Sequence, residues 1–235
     1  MLGHINPRKI LFLDIETVPQ VADYESLSPA KKALWAYKVK QLCGAQAEIS
    51  PGQCYESRAG IYAEFGKIIC VSCGLITAEE KFRLKSFFGD DERDLLECCT
   101  ALLSQNAASF PMLCAHNGQE FDFPYLSRRL LINRLELPPQ LDIAGKKPWE
   151  IAHLDTMTLW RFGDRKSFTS LALLAAIFDI PTPKSDIDGS EVATAYYREK
   201  NLKRIVEYCE RDVLTVAQLM RRYRLEPLLN REQPA

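Results

Sequence analysis

The sequence has no excess of charge of either sign. Its 235 residues contain 30 Lys and Arg against 31 Asp and Glu, which leaves a formal net charge of -1. A globally basic field, of the kind that attracts nucleic acid non-specifically, is therefore excluded. Any nucleic-acid partner has to be held by local basic patches and by bound metal ions.

Long hydrophobic runs are also missing. No apolar stretch approaches the length that crosses a membrane, and residues 1–9 lack the apolar core of a secretory signal. Internal repeats and low-complexity segments are absent as well. We therefore expect a cytoplasmic protein without a membrane partner.

The cysteines do not form the framework of a small secreted scaffold. All eight are scattered over a chain that is long enough to bury a sizeable core, so we expect reduced thiols. Cys70 and Cys73 have the spacing of a metal-binding pair, but residues 68–76 are predicted to form a strand. Side chains three residues apart on a strand face opposite sides, which argues against a shared zinc ion.

What the sequence does contain is a strongly patterned stretch over residues 10–18, Ile-Leu-Phe-Leu-Asp-Ile-Glu-Thr-Val. Four apolar residues followed by two acids indicate a buried strand that carries charge near its end. Because side chains alternate along a strand, Asp14 and Glu16 share one face while Leu13 and Ile15 point into the core. Two adjacent carboxylates repel each other unless a cation lies between them. The alternative is an acidic strand end without a function.

The order of the predicted elements is typical of an α/β protein with a mixed sheet flanked by helices. Strands are predicted over residues 9–18, 67–77, 81–88, 112–115 and 150–157, and helices over residues 28–42, 90–106, 121–135, 167–178, 190–199 and 201–223. We expect one domain over residues 1–225, followed by a tail over residues 226–235. Residues 20–60 are predicted to be a long insertion between the first two strands, which either contacts substrate or decorates the surface.

Two further acids lie on predicted helices. Asp122 follows Asn117 by five residues, at the point where a helix begins after a strand. Asp122 either joins a functional site or stabilises the helix N-terminus. Asn117 is either part of that site or a turn former. Asp212 lies on the last long helix, one turn after Tyr208, so that the two side chains share a face. Alternatively, Tyr208 belongs to the edge of the core and Asp212 is solvated.

Together, these residues resemble the three exonuclease motifs of the DEDD superfamily. The motifs are Asp14-x-Glu16, Asn117-x-x-x-Phe121-Asp122 and Tyr208-x-x-x-Asp212, in that order. The tyrosine spacing is that of the tyrosine subclass, since the histidine subclass has His where this chain has Glu207. The second motif is most similar to the proofreading exonuclease domain of family B DNA polymerases. Residues 147–149, 153–157 and 184–190 resemble a stand-alone bacterial group of such exonucleases.

The resemblance implies a ribonuclease H-like fold and the removal of nucleoside monophosphates from 3′ ends. It also implies two Mg²⁺ or Mn²⁺ ions, because hard oxygen ligands select these ions over zinc. The implied metal ligands are Asp14, Glu16, Asp122 and Asp212. Tyr208 would orient the attacking water rather than act as a base, since its unperturbed pKa is about 10. The chain has no room for a polymerase module, which leaves a polymerase or repair partner in trans possible.

Several residues near the motifs are candidates for substrate contacts. They are Thr17, Asn117, Phe121, Lys166 and Lys184. Phe121 would stack on a terminal base, whereas Phe123 is expected in the core. Single-stranded ends are favoured because a terminal nucleotide must be splayed into a narrow acid site, and DNA is favoured over RNA because the second motif is polymerase-like. An RNA-trimming exonuclease, a non-catalytic nucleic-acid-binding module and a structural subunit of a polymerase stay open as alternatives. Asp155 is either an outer partner of the site or a buried acid with satisfied hydrogen bonds.

Overall fold

The computed structural model of the chain describes residues 2–43, 49–164, 166–182 and 187–231. The strands of this part are β1 (Ile10–Pro19), β2 (Gly66–Ile76), β3 (Lys81–Phe88), β4 (Met112–Ala115), β5 (Leu154–Asp155) and β6 (Asn230–Arg231). The helices are α1 (Pro29–Cys43), α2 (Pro51–Arg58), α3 (Glu92–Gln105), α4 (Asp122–Ile132), α5 (Thr156–Arg161), α6 (Leu171–Ile177), α7 (Val192–Tyr197) and α8 (Leu202–Tyr223).

One mixed sheet organises these elements, with the strand order β5-β4-β1-β2-β3-β6. The inner strand β1 pairs in parallel with β4 and antiparallel with β2, which in turn forms a hairpin with β3. The register between β1 and β2 shifts between Glu16 and Thr17. Irregularities of this kind re-aim side chains and are frequent beside active sites. The mixed sheet with flanking helices confirms the predicted α/β class.

The side chains of β1 alternate between two layers of helices. Leu13 and Ile15 belong to the core shared with α3 and α4, whereas Ile10 and Phe12 belong to the core on the side of α6 and α8. Because side chains on a strand repeat with a period of two, Asp14 continues the second set. The acid face of β1 is therefore covered by α8 and is not open to solvent along its length.

The long helix α8 lies across β1 and β2 because one of its faces is apolar. Its buried residues recur at helical spacing and include Ile205, Cys209, Val213 and Val216. Asn201 caps its N-terminus by accepting a hydrogen bond from the backbone N–H of Arg204. The predicted helix over residues 201–223 is confirmed.

One prediction of secondary structure is wrong in part. The strand predicted over residues 150–157 is reduced to Leu154–Asp155, because Pro148 opens a short 3-10 turn and Asp155 already caps α5. The tail predicted over residues 226–235 contains β6, which pairs with the edge of β3. The side-chain amide of Gln218 makes two 2.8 Å hydrogen bonds with the backbone of Leu229, and these hold the segment against α8.

The insertion over residues 20–60 contains α1 and α2 and has a small core of its own. Trp35 of α1 is fully buried, donates a 2.8 Å hydrogen bond to the Pro51 carbonyl oxygen and makes an edge-on contact with Tyr55 of α2. The hydroxyl of Tyr125 in α4 donates a 2.7 Å hydrogen bond to the carbonyl oxygen of Gly60. The described residues of the insertion thus form a packed layer next to β1 and α4.

None of the helices within the described residues is long and apolar enough to span a bilayer.

Candidate active site

Three elements bring four acids and one tyrosine to the end of β1. The strand contributes Asp14 and Glu16, α4 contributes Asp122 at its first position, and α8 contributes Tyr208 and Asp212. Each carboxylate is near enough to another to affect its pKa. These five side chains are the ones that the sequence motifs single out, and they lie together.

Asp14 and Glu16 form the centre of the cluster. Asp14 is half-buried and Glu16 is 7% exposed. Burial raises the pKa of both carboxyl groups well above the ordinary range, and the neighbouring acids raise the pKa further. The effect has the sign expected for carboxylates that converge without a compensating positive charge.

Asp122 is held against β1 by the backbone. Its carboxylate accepts hydrogen bonds from the N–H groups of Ile15 and of its own residue, and its side chain is 3% exposed. Burial raises the pKa of Asp122 to about 7, although these hydrogen bonds act in the opposite direction. The contact with Ile15 fixes the N-terminus of α4 next to the first two acids.

The loop that leads into α4 is positioned by Asp155. One carboxylate oxygen of Asp155 accepts a 2.9 Å hydrogen bond from the N–H of Asn117, and the other accepts a 3.2 Å hydrogen bond from the N–H of Gln119. Asn117 has a left-handed φ of 61°, which Asn tolerates better than most residues. A side chain at Gly118 is excluded, because its Cβ would lie 2.4 Å from the Cβ of Ala115. Asp155 is therefore a buried acid with satisfied hydrogen bonds that also holds the loop before Asp122.

Tyr208 and Asp212 form a hydrogen-bonded pair on one face of α8. Burial raises the pKa of Asp212 to about 6, although the hydrogen bond from the phenol and the positive charge of Arg211 act in the opposite direction. Burial and the negative charge of Asp212 raise the pKa of Tyr208 above its ordinary value. The phenol therefore keeps its proton at neutral pH and serves as a hydrogen-bonding group.

The donor set of the cluster fits a divalent cation. The ion pairs of the described residues involve other acids, and among the four carboxylates only Asp212 has its pKa lowered by a cation, Arg211. Uncompensated buried carboxylates are unfavourable unless a proton or a cation neutralises them. Oxygen ligands of this type suit Mg²⁺ and Mn²⁺.

A groove of about 270 Å³ opens beside Glu16. Its lining contains Thr17 and Phe121, two of the predicted substrate contacts. The hydroxyl of Thr17 hydrogen-bonds with Tyr125, which also holds the insertion through Gly60. Glu56, Ser57 and Gly60 of the insertion and the adjacent Ile61 also line the groove, and the segment around α7 adds Gly189, Ser190 and Ala193. The sequence analysis named no single residue of the insertion as a substrate contact, although it left such a contact open for residues 20–60. Gly189 and Ser190 lie in the segment 184–190 that carries the resemblance to the bacterial group.

The remaining candidates lie elsewhere. The backbone N–H of Asn117, in the loop before α4, donates a hydrogen bond to Asp155. Lys166 is exposed on the segment between α5 and α6. Lys184 lies outside the described residues. Phe123 is fully buried in the core, as predicted. His116 hydrogen-bonds with Thr156 and with the Thr169 carbonyl oxygen, so its role is structural.

Cys209 is a neighbour of the acids that the sequence analysis overlooked. It is fully buried, and its thiol donates a 3.5 Å hydrogen bond to the backbone oxygen of Asp14. Cys70 packs with it on the same side of β2, while Cys73 packs on the opposite side. The predicted separation of Cys70 and Cys73 to two faces is confirmed. The position of Cys209 three residues before Asp212 was the available signal, since this spacing places both on one helical face.

A protein-family model described as a predicted 3′-5′ exonuclease related to the exonuclease domain of PolB matches residues 61–228. The chain belongs to this family. The matched residues include Asp122, Tyr208 and Asp212. Asp14 and Glu16 precede the matched residues, and the structure places them beside Asp122 and Asp212.

A solved structure agrees with the family on the fold. The structure of the family B DNA polymerase from the hyperthermophilic archaeon Pyrobaculum calidifontis matches 92% of this chain, with a TM-score of 0.56 and 15% sequence identity. The match covers 24% of that polymerase, so this exonuclease-like chain spans about a quarter of its length. The resemblance to the exonuclease domain of family B polymerases and the ribonuclease H-like fold are thus confirmed.

Proposed function

We propose that the protein is a divalent-metal-dependent 3′-5′ exonuclease that hydrolyses single-stranded DNA from its 3′ end and releases nucleoside monophosphates. The observation that carries the proposal is the convergence of four buried or half-buried acids from β1, α4 and α8 beside Tyr208. Membership of the family supports the reaction type. A degenerate, non-catalytic member would be expected to have lost one of these acids.

Asp14, Glu16, Asp122 and Asp212 would hold two Mg²⁺ or Mn²⁺ ions. Bound there, the ions supply Lewis acidity toward the phosphodiester and make an attacking water more acidic. The residues of the chain contribute a converging set of oxygen ligands in a largely buried place, where electrostatic interactions are stronger than in water.

Tyr208 orients the attacking water in this proposal. Its proton is committed to Asp212, and its raised pKa excludes the phenolate near neutral pH. The phenol oxygen keeps free acceptor capacity, so it can accept a hydrogen bond from a water molecule next to the acids. The tyrosine is thus a positioning group and not a general base.

The groove beside Glu16 would receive the terminal nucleotide. Phe121 on one wall offers a ring on which a base can stack, and Ile61 on the other wall is 54% exposed and apolar. Thr17 lies at the floor next to the acids. A splayed single-stranded end enters such a groove more easily than a paired end, which favours single strands as the substrate.

The strand that precedes the terminal nucleotide would pass along residues 161–164 and 166–168. The guanidinium of Arg161 lies 4.5 Å from the ring centre of Phe168, which is 69% exposed, and forms a 3.3 Å ion pair with Glu120 near the start of α4. Lys166 adds an exposed cation. Aromatic and basic groups in this combination bind single strands without reading their sequence.

An end-labelled degradation assay tests the proposed function. Single-stranded DNA and RNA of one sequence, labelled at the 5′ end, are incubated with Mg²⁺, with Mn²⁺ or with EDTA, and Asp14→Ala serves as the matched inactive control. We expect a metal-dependent ladder that shortens from the 3′ end, with DNA degraded faster. Faster cleavage of RNA would favour the rival exoribonuclease. Binding without cleavage of either strand would favour a non-catalytic module or a partner that acts in trans.

A further inference from the structure

Helix α1 of the insertion carries charge of only one sign. Its 15 residues contain four Lys and neither Asp nor Glu. The whole chain has a formal net charge of -1, so this excess of positive charge is local to the helix. The acid cluster makes no use of it. A concentrated positive surface on a nearly neutral protein favours an anionic partner.

Two of the four lysines lie on one edge of α1. Lys31 and Lys38 are seven residues apart, which is about two helical turns, so their side chains share a face. Leu34 lies between them and is 61% exposed. This edge of the helix is therefore accessible to a partner.

The same edge borders the groove beside Glu16. The Nζ atom of Lys31 donates a 2.8 Å hydrogen bond to the Oε1 atom of Gln20. The Nζ atom of Lys38 lies 4.2 Å from the ring centre of Tyr62. Gln20 and Tyr62 each directly follow a residue that lines the groove. Both cations are thus close to the place where the terminal nucleotide would bind.

The contacts that position these two cations are neutral. An amide oxygen and an aromatic ring fix Lys31 and Lys38 without neutralising their charges. Lys32 differs, because it forms a 2.6 Å ion pair with Glu25 and points about 100° away around the helix. Phosphate groups bind Lys as a point charge. Lys31 and Lys38 therefore form a pair of positioned positive charges that suits a phosphate backbone.

We propose that Lys31 and Lys38 bind the phosphate backbone of a second strand, the complement of the strand whose 3′ end lies in the groove. The inference rests on the proposed function, because the groove must hold that 3′ end. The degraded strand has only one continuation, which is assigned to the segment around Phe168. In a forked duplex the complement separates at the same place, so it can reach α1 while the 3′ end enters the groove. The substrate is then a forked end, with each strand on its own surface.

Fluorescence anisotropy in EDTA tests this surface without cleavage. The probe is one labelled DNA strand, used alone or annealed to a complement so that both strands are unpaired at the 3′ end of the labelled one. We expect the wild type to bind the fork more tightly than the strand alone. Lys31→Met/Lys38→Met keeps the apolar stems and removes both charges. It should lower the affinity for the fork at least about tenfold, reduce its log–log salt slope by about 1.4–1.8, the contribution of two phosphates, and leave the affinity for the strand alone unchanged.

Lys32→Met is the matched control on the same helix and should affect neither probe. Lys31→Arg/Lys38→Arg should keep the affinity for the fork, because it keeps both charges, and thermal unfolding verifies that each variant is folded. Equal losses for the two probes in the double Met variant would place the degraded strand on α1 and overturn the proposal. Unchanged affinity for both probes would overturn it as well, because the two charges would then not contact nucleic acid.

The two proposals fail in different ways. Because binding is measured in EDTA, a fork preference that depends on Lys31 and Lys38 in a protein that degrades no strand would support this surface and count against hydrolysis alone. A metal-dependent ladder from a protein without a fork preference would leave the proposed function standing and overturn the role of α1.

Discussion

At the scale of single residues, Tyr208 shows how a weak acid becomes useful without ionising. Burial and the carboxylate of Asp212 keep its proton in place. Its hydroxyl donates to that carboxylate and stays available as an acceptor. The contribution of the residue to a reaction is therefore geometric, and removing the hydroxyl should affect the rate more than the binding of metal.

Tyr208→Phe should lower kcat roughly 100-fold, the loss that a small misplacement of a reacting group can cause. Metal affinity and KM should change little, because the four carboxylates are retained. Steady-state kinetics and isothermal titration with Mn²⁺ measure the two effects. Tyr223→Phe is the matched control, since it removes a buried hydroxyl that donates to the Thr156 carbonyl oxygen away from the acids. An unchanged kcat in Tyr208→Phe would show that the residue only packs.

Asp155 is the second residue whose role depends on hydrogen bonds. It accepts from the N–H groups of Asn117 and Gln119 and also caps α5 through Met157 and Thr158. Asp155→Asn turns one acceptor oxygen into a donor that faces another N–H group. We expect a loss of about 1–3 kcal/mol in the free energy of unfolding and a lower kcat, because Asp122 is no longer held in place.

Urea unfolding measures the effect of Asp155→Asn on stability. Asp91→Asn is the control, since Asp91 caps α3 through Arg93 and Asp94 but holds no loop, and Asn is as good an N-cap as Asp. Equal, small effects of both substitutions would contradict the positioning role of Asp155.

At the scale of elements, the insertion is a wall of the groove with a separate core. The acids come from β1, α4 and α8, whereas Ile61 and its neighbours depend on the packing of α1 and α2. Damage to the insertion should therefore change how substrate binds more than how it reacts.

Trp35→Ala should destabilise the protein by about 3–5 kcal/mol and raise KM more than it lowers kcat. Trp35 is fully buried, and Tyr37→Ala on the same helix is the control because Tyr37 is 63% exposed. Thermal unfolding and steady-state kinetics on a single-stranded oligonucleotide check both parts. A fall in kcat at constant KM would contradict the assignment of the insertion to substrate binding.

Phe168→Ala tests the segment between α5 and α6. Stacking of a base on an aromatic ring is worth about 1–3 kcal/mol, so the affinity for a 12-nucleotide strand should fall at least about fivefold. Fluorescence anisotropy in EDTA measures binding without cleavage. A dinucleotide, which in the proposed path occupies only the groove, is the internal control, and equal losses for both lengths would contradict the proposed path.

At the scale of the whole molecule, the acid cluster couples stability to pH and to metal. The pKa values of Asp122 and Asp212 are raised to about 7 and about 6, and those of Asp14 and Glu16 are raised as well. The folded state therefore favours protonated carboxyls. The stability that this provides is present below the unfolded pKa of about 4 and is lost as the pH rises through the folded pKa.

Without metal, the melting temperature of the wild type should fall between pH 5 and pH 8, because the carboxyl groups of the cluster lose their protons. Added Mn²⁺ should restore the melting temperature at pH 8. Asp14→Asn should be more stable than the wild type in EDTA at pH 8, with a smaller difference at pH 5, since it removes one of the repelling charges. Differential scanning calorimetry of both proteins checks this, and Asp142→Asn, at an exposed position, is the control. A difference between Asp14→Asn and the wild type that does not depend on pH would count against uncompensated charge in the cluster.

Local patterns were enough to predict the mixed sheet, the two acids on β1 and the pairing of Tyr208 with Asp212. Strand alternation and helical spacing determine which neighbouring side chains share a face, and both patterns can be recognised within a few consecutive residues. The exonuclease motifs added Asp122, and the structure brings all five side chains together.

Only the tertiary structure decided what surrounds these residues. The wall formed by the insertion, the hydrogen bonds of Asp155, the strand β6 and the thiol of Cys209 depend on contacts between segments far apart in the chain. Asp14 and Cys209 are an example, since their contact joins residues 195 positions apart. Such contacts leave no local period in the sequence, because they are set by how α8 and the insertion pack on the sheet.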